Sequence, residues 1–164
     1  SVDTDAAYVD ALVQTEIFKD KVYIPQSVVV KNSLDNTIRE TSIRDVGVNE
    51  TVMDIAPSSI IDFVKRVKEL GAKTILWNGP VGNFEIKDFA KGTEVLAKEL
   101  LLYMESEVLQ DVKLVVGGGD TISALSGMQN ISHNPAVFMS TGGGAMLEFL
   151  EKDGQIPGIV SLMN

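Results

Sequence analysis

The sequence contains no cysteine and a single histidine, His133. The first absence excludes disulfides and thiolate metal sites, and the second excludes a histidine-rich metal centre. Long apolar runs are also missing. No stretch approaches the roughly 20 residues that a membrane-spanning helix needs, so no membrane partner is expected. The opening residues, SVDTDAAY, are acidic and lack the basic and apolar regions of a secretory leader. These features fit a cytoplasmic protein. Basic residues are scarce, 14 Lys and Arg against 23 Asp and Glu, for a net charge of -9. That sign opposes nonspecific nucleic-acid binding and repels phosphate ligands at long range. Any phosphate site must therefore be local, built from backbone amides and helix ends.

What is present suffices for a core. The 164 residues are 45% hydrophobic, and no repeat, linker or low-complexity segment divides residues 1–164, so one domain is expected. Apolar spacing alternates between helix-like and strand-like segments. Residues 5–19 read as a helix with Val9, Leu12, Val13 and Ile17 on one side. VYIPQSVVV (residues 22–30) reads as a strand with an irregular start at Pro25. Residues 31–50 are polar and read as a loop or short hairpin. Ser58 and Ser59 are placed to cap a helix reaching Leu70, with Ile60, Ile61, Val64 and Val67 inward and Gly71 at its end. Strands follow at residues 73–77, 113–116 and 136–139. Helices are expected from Thr93 to about Ser106, from Asp120 onward, and over residues 145–152. Strands alternating with helices imply an α/β fold, a parallel sheet covered on both faces, whose ligands sit beyond the carboxyl ends of the strands.

Three strand ends run into unusual loops. TILW leads into NGPVGNFE (residues 78–85), KLVV into GGGDT (residues 117–121), and AVFM into STGGGA (residues 140–145). In GGGDT, Gly117, Gly118 and Gly119 let the backbone approach a ligand, and the following amides open a helix N-terminus suited to an anion. Asp120 reads as a helix cap or as a ligand to a Mg²⁺ carried by a nucleotide. Thr121 offers a hydroxyl to a phosphate oxygen. The plainer alternative is a tight turn with an ordinary Asp cap. STGGGA repeats the design with Thr141, Gly142, Gly143 and Gly144; its alternative is a close helix–strand packing turn. Two such loops in one sheet suggest a site for several negative charges. In NGPVGNFE, Asn78 offers hydrogen bonds to a polar ligand, Pro80 stiffens the loop, and Glu85 suits two vicinal hydroxyls, as on a ribose. An Asn turn and a solvated Glu are the alternatives there. His133, in the polar NISHNP, reads as a surface residue. No GxxxxGK[ST] is present, and no loop fits GxGxxG well.

The series WNGPVGNFE, FAKGT, VVGGGDT, STGGGAMLEFLE and IPGI resembles, in order and spacing, the C-terminal domain of the phosphoglycerate kinase family. VYIPQSVVV and MDIAPSSI extend the resemblance upstream. It implies a three-layer αβα, Rossmann-like parallel sheet, here as a partial C-terminal domain. It also implies Mg-ATP or Mg-ADP as the bound nucleotide. Phosphoryl transfer in the family runs between 1,3-bisphosphoglycerate and ADP, or in reverse between 3-phosphoglycerate and ATP, as a step of glycolysis. Carried over by motif, Asn78 lies beside the nucleotide, Pro80 lines the adenine side and Glu85 holds ribose hydroxyls. Gly118, Gly119 and Thr121 contact phosphates, with Gly117 in the same turn, and Asp120 meets the metal. Gly142, Gly143 and Gly144, after Thr141, open the helix that faces the transferring phosphoryl group. Departures from the family pattern include Asn83, where the family usually has a hydrophobic residue, Ala56 in place of a glycine, Thr51–Val52 in place of a Met-Gly pair, and AVFM in place of SHV before STGGGA, so that His133 does not match the family histidine.

The family's substrate-binding N-terminal domain, and the first strand–loop–helix of its nucleotide domain with its phosphate-binding lysines, have no counterpart in these residues. A fragment inactive on its own is therefore expected, with 3-phosphoglycerate reached only through the missing domain. The resemblance implies a monomeric full-length enzyme, whereas exposed sheet edge and apolar surface predict self-association of the shorter chain. A noncatalytic nucleotide-binding or interaction module is the alternative.

Overall fold

The computed structural model describes residues 13–106 and 111–161. The helix expected over residues 5–19 falls largely outside them. Its described end is α1 (Glu16–Lys21), where Thr15 Oγ1 accepts the Phe18 amide at 3.1 Å as an N-cap.

Two three-stranded sheets follow. The first is antiparallel, in the order β2-β1-β3, from β1 (Ser27–Asn32), β2 (Ile38–Ser42) and β3 (Glu50–Ile55). The hairpin between β1 and β2 turns at Asp35-Asn36. Asp35 Oδ1 accepts the Thr37 amide at 2.9 Å and Asn36 takes a left-handed conformation. Arg39 on β2 forks onto Glu50 at the start of β3, with bonds of 2.7 and 2.8 Å, tying the two outer strands together.

The second sheet is parallel, in the order β4-β5-β6, from β4 (Thr74–Asn78), β5 (Lys113–Gly117) and β6 (Val137–Ser140). Helices connect and flank these strands, so the fold is α/β. The expected parallel sheet is β4-β5-β6. Residues 31–50 form the hairpin, one of their two readings, and the strand read over residues 22–30 does not join the parallel sheet but pairs antiparallel with β2 and β3. Their sequence explains the difference. β2 (IRETS) is charged and mostly exposed, and β3 (ETVMDI) places the buried carboxylate of Asp54 where an apolar residue would signal a strand.

Core formation follows the helical spacing. α2 (Pro57–Glu69) and α3 (Lys91–Met104) pack together and cover one face of the parallel sheet. Ile60 and Val64 of α2 and Leu96, Ala97, Leu100 and Tyr103 of α3 meet Trp77, Leu114 and Val116. Each Ile, Val or Leu among them contributes about 1.5–3 kcal/mol on full burial. The Tyr103 hydroxyl satisfies itself on the Ala72 carbonyl at 2.9 Å. Ile61, expected inward, is 48% exposed.

Both helix starts are corrected. Pro57 begins α2, with Ala56 as its N-cap and no side-chain cap. Ser59 instead accepts the Ser27 amide at 2.8 Å, and Ser58 donates to Glu40 at 3.1 Å. Thr93 sits buried inside the first turn of α3. Beyond β5 come α4 (Gly119–Leu125) and α5 (Gln129–Ser132), and beyond β6 come α6 (Gly143–Glu151) and α7 (Pro157–Val160). The opposite face of the parallel sheet carries Leu76, Val115 and Phe138 in one row. Leu76 is 40% and Phe138 65% exposed, so coverage of that face is incomplete.

Candidate functional site

The register of the parallel sheet sets the site. Asn78 pairs with Gly117, and Gly117 with Ser140. The three loops therefore leave the sheet from one row at its carboxyl edge. The Gly118 amide donates to the Ser140 carbonyl at 2.9 Å, extending the contact by one step.

Asn78 stands at the β4 end of this row, and its side chain lies against the turns that leave the other two strands. A Cβ on Gly117 or on Gly118 would approach its Oδ1 to 3.1 Å. A Cβ on Gly143 would lie 2.5 Å from the same atom and 2.6 Å from the Gly118 amide nitrogen. Only a glycine at 143 permits α6 to start this close to the β5 turn. Gly118, at φ 92, is the second position where the turn requires glycine. Gly119 and Gly144 are exposed, and a Cβ on either would meet open space. Thr141 and Gly142 are exposed at the start of α6, with Gly142 as its N-cap.

α4 and α6 thus begin directly beyond the row. Their first-turn amides have no acceptor within the helix, and each helix presents its positive end there. Asp120 stands exposed in the first turn of α4. It is not the cap: Gly118 holds that position, without a side-chain bond. Thr121 follows in the same turn. It is fully buried, and its hydroxyl donates to the Gly117 carbonyl at 2.8 Å while accepting the Gly79 amide at 2.8 Å. That hydroxyl braces two loops.

The loop after β4 is pinned along its length. Trp77 Nε1 donates to the Gly79 carbonyl at 2.7 Å, and the Val81 amide to Thr93 Oγ1 at 3.2 Å. The Asn83 amide donates to the Met53 carbonyl at 2.9 Å. Pro80 is half-buried, whereas Asn83 and Glu85 stand exposed at the loop's far end. Glu85 is not drawn into the cluster of glycine turns. Phe84, its neighbour, lines an open cavity of about 350 Å³ together with Thr93, Glu94, Ala124 and Met128. His133 is exposed at the end of α5.

Two residues that sequence reasoning missed help to hold the site. Thr93 receives the Val81 amide. Asp54, 1% exposed, accepts the Gly92 amide at 2.7 Å and the Ile55 amide at 2.8 Å. Burial, helped by the charge of Glu94, raises the Asp54 carboxyl above its ordinary value, while these two amides pull it down. The one signal in the sequence is an acidic residue inside an otherwise apolar MDIA.

No group of three or more His, Asp or Glu among the described residues could hold a resident metal. One exposed carboxylate, Asp120, beside two helix N-termini fits a different case, a Mg²⁺ that arrives on ligand phosphates and needs only one or two protein carboxylates. Among the described residues no helix is long and apolar enough to cross a membrane.

Fold and site together define the class: an α/β protein whose parallel strands gather glycine-rich turns and helix N-termini at their carboxyl edge. The family model described as phosphoglycerate kinase matches residues 3–153. A phosphoglycerate kinase of Buchnera aphidicola subsp. Baizongia pistaciae (strain Bp) is 40% identical over 144 residues, covering 84% of this chain and 33% of that protein. One from Baumannia cicadellinicola subsp. Homalodisca coagulata is 39% identical over 130 residues, covering 79% and 31%. The solved structure of phosphoglycerate kinase from Coxiella burnetii superposes with a TM-score of 0.67 at 33% identity, over 90% of this chain and 37% of that one. The chain belongs to the phosphoglycerate kinase family. It spans about a third of the length of the curated relatives it matches.

Proposed function

We propose that this chain forms the Mg-nucleotide side of a phosphoglycerate kinase. Mg-ADP or Mg-ATP binds with its phosphates at the starts of α4 and α6, over Gly118, Gly119, Gly142, Gly143 and Gly144. Asp120 meets the Mg²⁺, directly or through water. Asn78 and Pro80 lie on the nucleoside side, and Glu85 takes the ribose hydroxyls. The bound Mg²⁺ supplies charge neutralisation of the phosphates; the chain supplies orientation and two helix ends. The observation that carries this reading is the meeting of the three loops, Asn78 against Gly118 and Gly143, on one edge of the sheet.

3-Phosphoglycerate would reach this edge from a substrate-binding domain outside the 164 residues, and the complete enzyme would be cytoplasmic. On its own the chain is expected to be inactive. A helix end stabilises an anion by about 0.3–2 kcal/mol, whereas enzymes lower barriers by roughly 8–23 kcal/mol. One observation favours a noncatalytic nucleotide-binding module as the second reading: the loops at residues 78–85, 117–121 and 140–145 contain no Lys or Arg.

A Mg-ADP titration followed by amide chemical shifts tests the site. Shifts concentrated at residues 117–121 and 142–145 support it, and an unchanged spectrum and melting temperature at millimolar nucleotide sink it. Phosphoglycerate kinase turnover by the purified chain, abolished by Gly143→Val, would instead overturn the expected inactivity.

A further inference from the structure

We propose that Asp54 is the positioning residue for the outer half of the loop after β4, residues 81–85. It belongs to the antiparallel sheet, on β3, yet its carboxylate reaches the start of α3. Oδ2 accepts the Gly92 amide at 2.7 Å and Oδ1 accepts the Ile55 amide at 2.8 Å. Two glycines enclose it. A Cβ on Gly82 would overlap the carboxylate and come within 2.5 Å of the Phe89 carbonyl. A Cβ on Gly92 would likewise overlap the carboxylate and lie 2.7 Å from the Ile55 carbonyl. Gly82 is in the loop and Gly92 in the first turn of α3, so Asp54 sits where loop, strand and helix meet.

The neighbouring bonds run through the same junction. On one side of Gly82 the Asn83 amide reaches the Met53 carbonyl, next to Asp54. On the other side the Val81 amide reaches Thr93, next to Gly92. The carboxylate is a costly choice for a buried position, since burial and the nearby Glu94 both disfavour its charge. Its use follows from what the junction presents: two amide donors, with no room for a larger group beside Gly82. Asp54 supplies an acceptor to each. An Asn there would turn its NH₂ toward one of the two amides. The consequence for ligand affinity rests on the proposed nucleotide site; the anchoring of the loop does not.

The test compares amide exchange and Mg-ADP affinity for the full chain, for Asp54→Asn and for Gly82→Ala. In Asp54→Asn the Gly92 amide should exchange about tenfold faster or more, because a bond to a charged acceptor is lost, and the Asn83 amide, held by the neighbouring Met53 carbonyl, should follow as the loop loosens. The Leu114 and Val116 amides of the parallel sheet should keep their rates. Gly82→Ala, which displaces the loop with Asp54 intact, should release Asn83 in the same way. Both variants should bind Mg-ADP more weakly, with reduced ligand shifts at Glu85 and retained shifts at Gly118 and Gly144. Unchanged exchange at Gly92 and Asn83 overturns the proposal. So does a uniform rise at every amide, or outright unfolding of Asp54→Asn, since either marks a role in global stability alone. A wild-type chain that ignores Mg-ADP would sink the nucleotide reading and leave the exchange result to decide on Asp54.

Discussion

The amide of Gly79 and the hydroxyl of Thr121, 42 residues apart, are joined by a 2.8 Å hydrogen bond, and the same hydroxyl donates to the Gly117 carbonyl. One side chain thus fixes the first turn of the loop after β4 against the end of β5. Thr121→Val keeps the volume and removes both bonds. Taking this partner from the buried Gly117 carbonyl and the half-buried Gly79 amide should cost about 1–3 kcal/mol, measured by urea unfolding, and should weaken Mg-ADP binding. Thr121→Ser retains the hydroxyl and should lose no more than about 1 kcal/mol, for one methyl. Equal stability of wild type and Thr121→Val would refute the brace.

Gly143 and Gly144 are adjacent and should respond oppositely to alanine. At Gly143 the new methyl would press on Asn78 Oδ1, Gly118 N and Gly118 Cα, two of them backbone atoms that cannot yield alone. Overpacking of this kind costs about 1–3 kcal/mol. At Gly144 the methyl would meet nothing within 4 Å, in the first turn of α6. Restricting the unfolded chain there should stabilise by about 0.4–1 kcal/mol. Thermal melts of the two variants check the contrast. A destabilised Gly144→Ala alongside an unaffected Gly143→Ala would show that α6 does not approach β5 as described.

The parallel half of the fold was legible because its signals are local. TILW, KLVV and AVFM are short apolar runs, each stopped by a glycine-containing turn, and β4, β5 and β6 lie within a residue or two of them. The antiparallel half was legible only in part: the strand read over residues 22–30 is β1 from Ser27, and residues 31–50 hold the hairpin that was one of their two readings, but β3 and the separate sheet were not read. β2 is an exposed, charged edge strand, and β3 carries Asp54 on its buried side. Asn78, Gly118 and Gly143 were singled out from their motifs, and the structure brings them together. Thr93 and Asp54 were missed in the roles they have. Their partners, Val81 and Gly92, lie 12 and 38 residues away, and no local pattern encodes such a bond. Ser58 and Ser59 misled for a related reason: Pro57 already fixes the start of α2, which frees both hydroxyls for partners in the antiparallel sheet.

Acid should loosen the antiparallel sheet through Glu50. Hydrogen bonds from Arg39 and from the Gly47 amide hold its carboxyl below the ordinary value of 4.5. A carboxyl depressed in the folded state contributes stability that is fully present above its unfolded value and is lost as pH falls through the folded one. Asp35, lowered by Thr37, acts in the same sense. Asp54, raised by burial, acts in the opposite sense: protonation favours the folded chain as pH drops toward the ordinary value. Urea unfolding from neutral pH to about pH 3 should therefore show an acid limb that Glu50→Gln flattens. The same limb, undiminished in Glu50→Gln, would assign the loss to other carboxylates.

Phe138 offers a test of self-association that separates apolar contact from charge. The register sets Leu76, Val115 and Phe138 in one row on the less covered face, and β4 is an edge strand among the described residues. Exposed apolar rows beside an open edge favour association, whereas a net charge of -9 on each chain opposes it. Light scattering should therefore show association that grows with protein concentration and with salt, because salt screens the repulsion. Phe138→Lys removes the most exposed ring of the row and also makes the chain less negative. If association were governed by charge, that variant would associate more. If the apolar row governs it, the variant should associate less despite its lower net charge. A wild-type chain that stays monodisperse at every concentration and salt level would remove the premise.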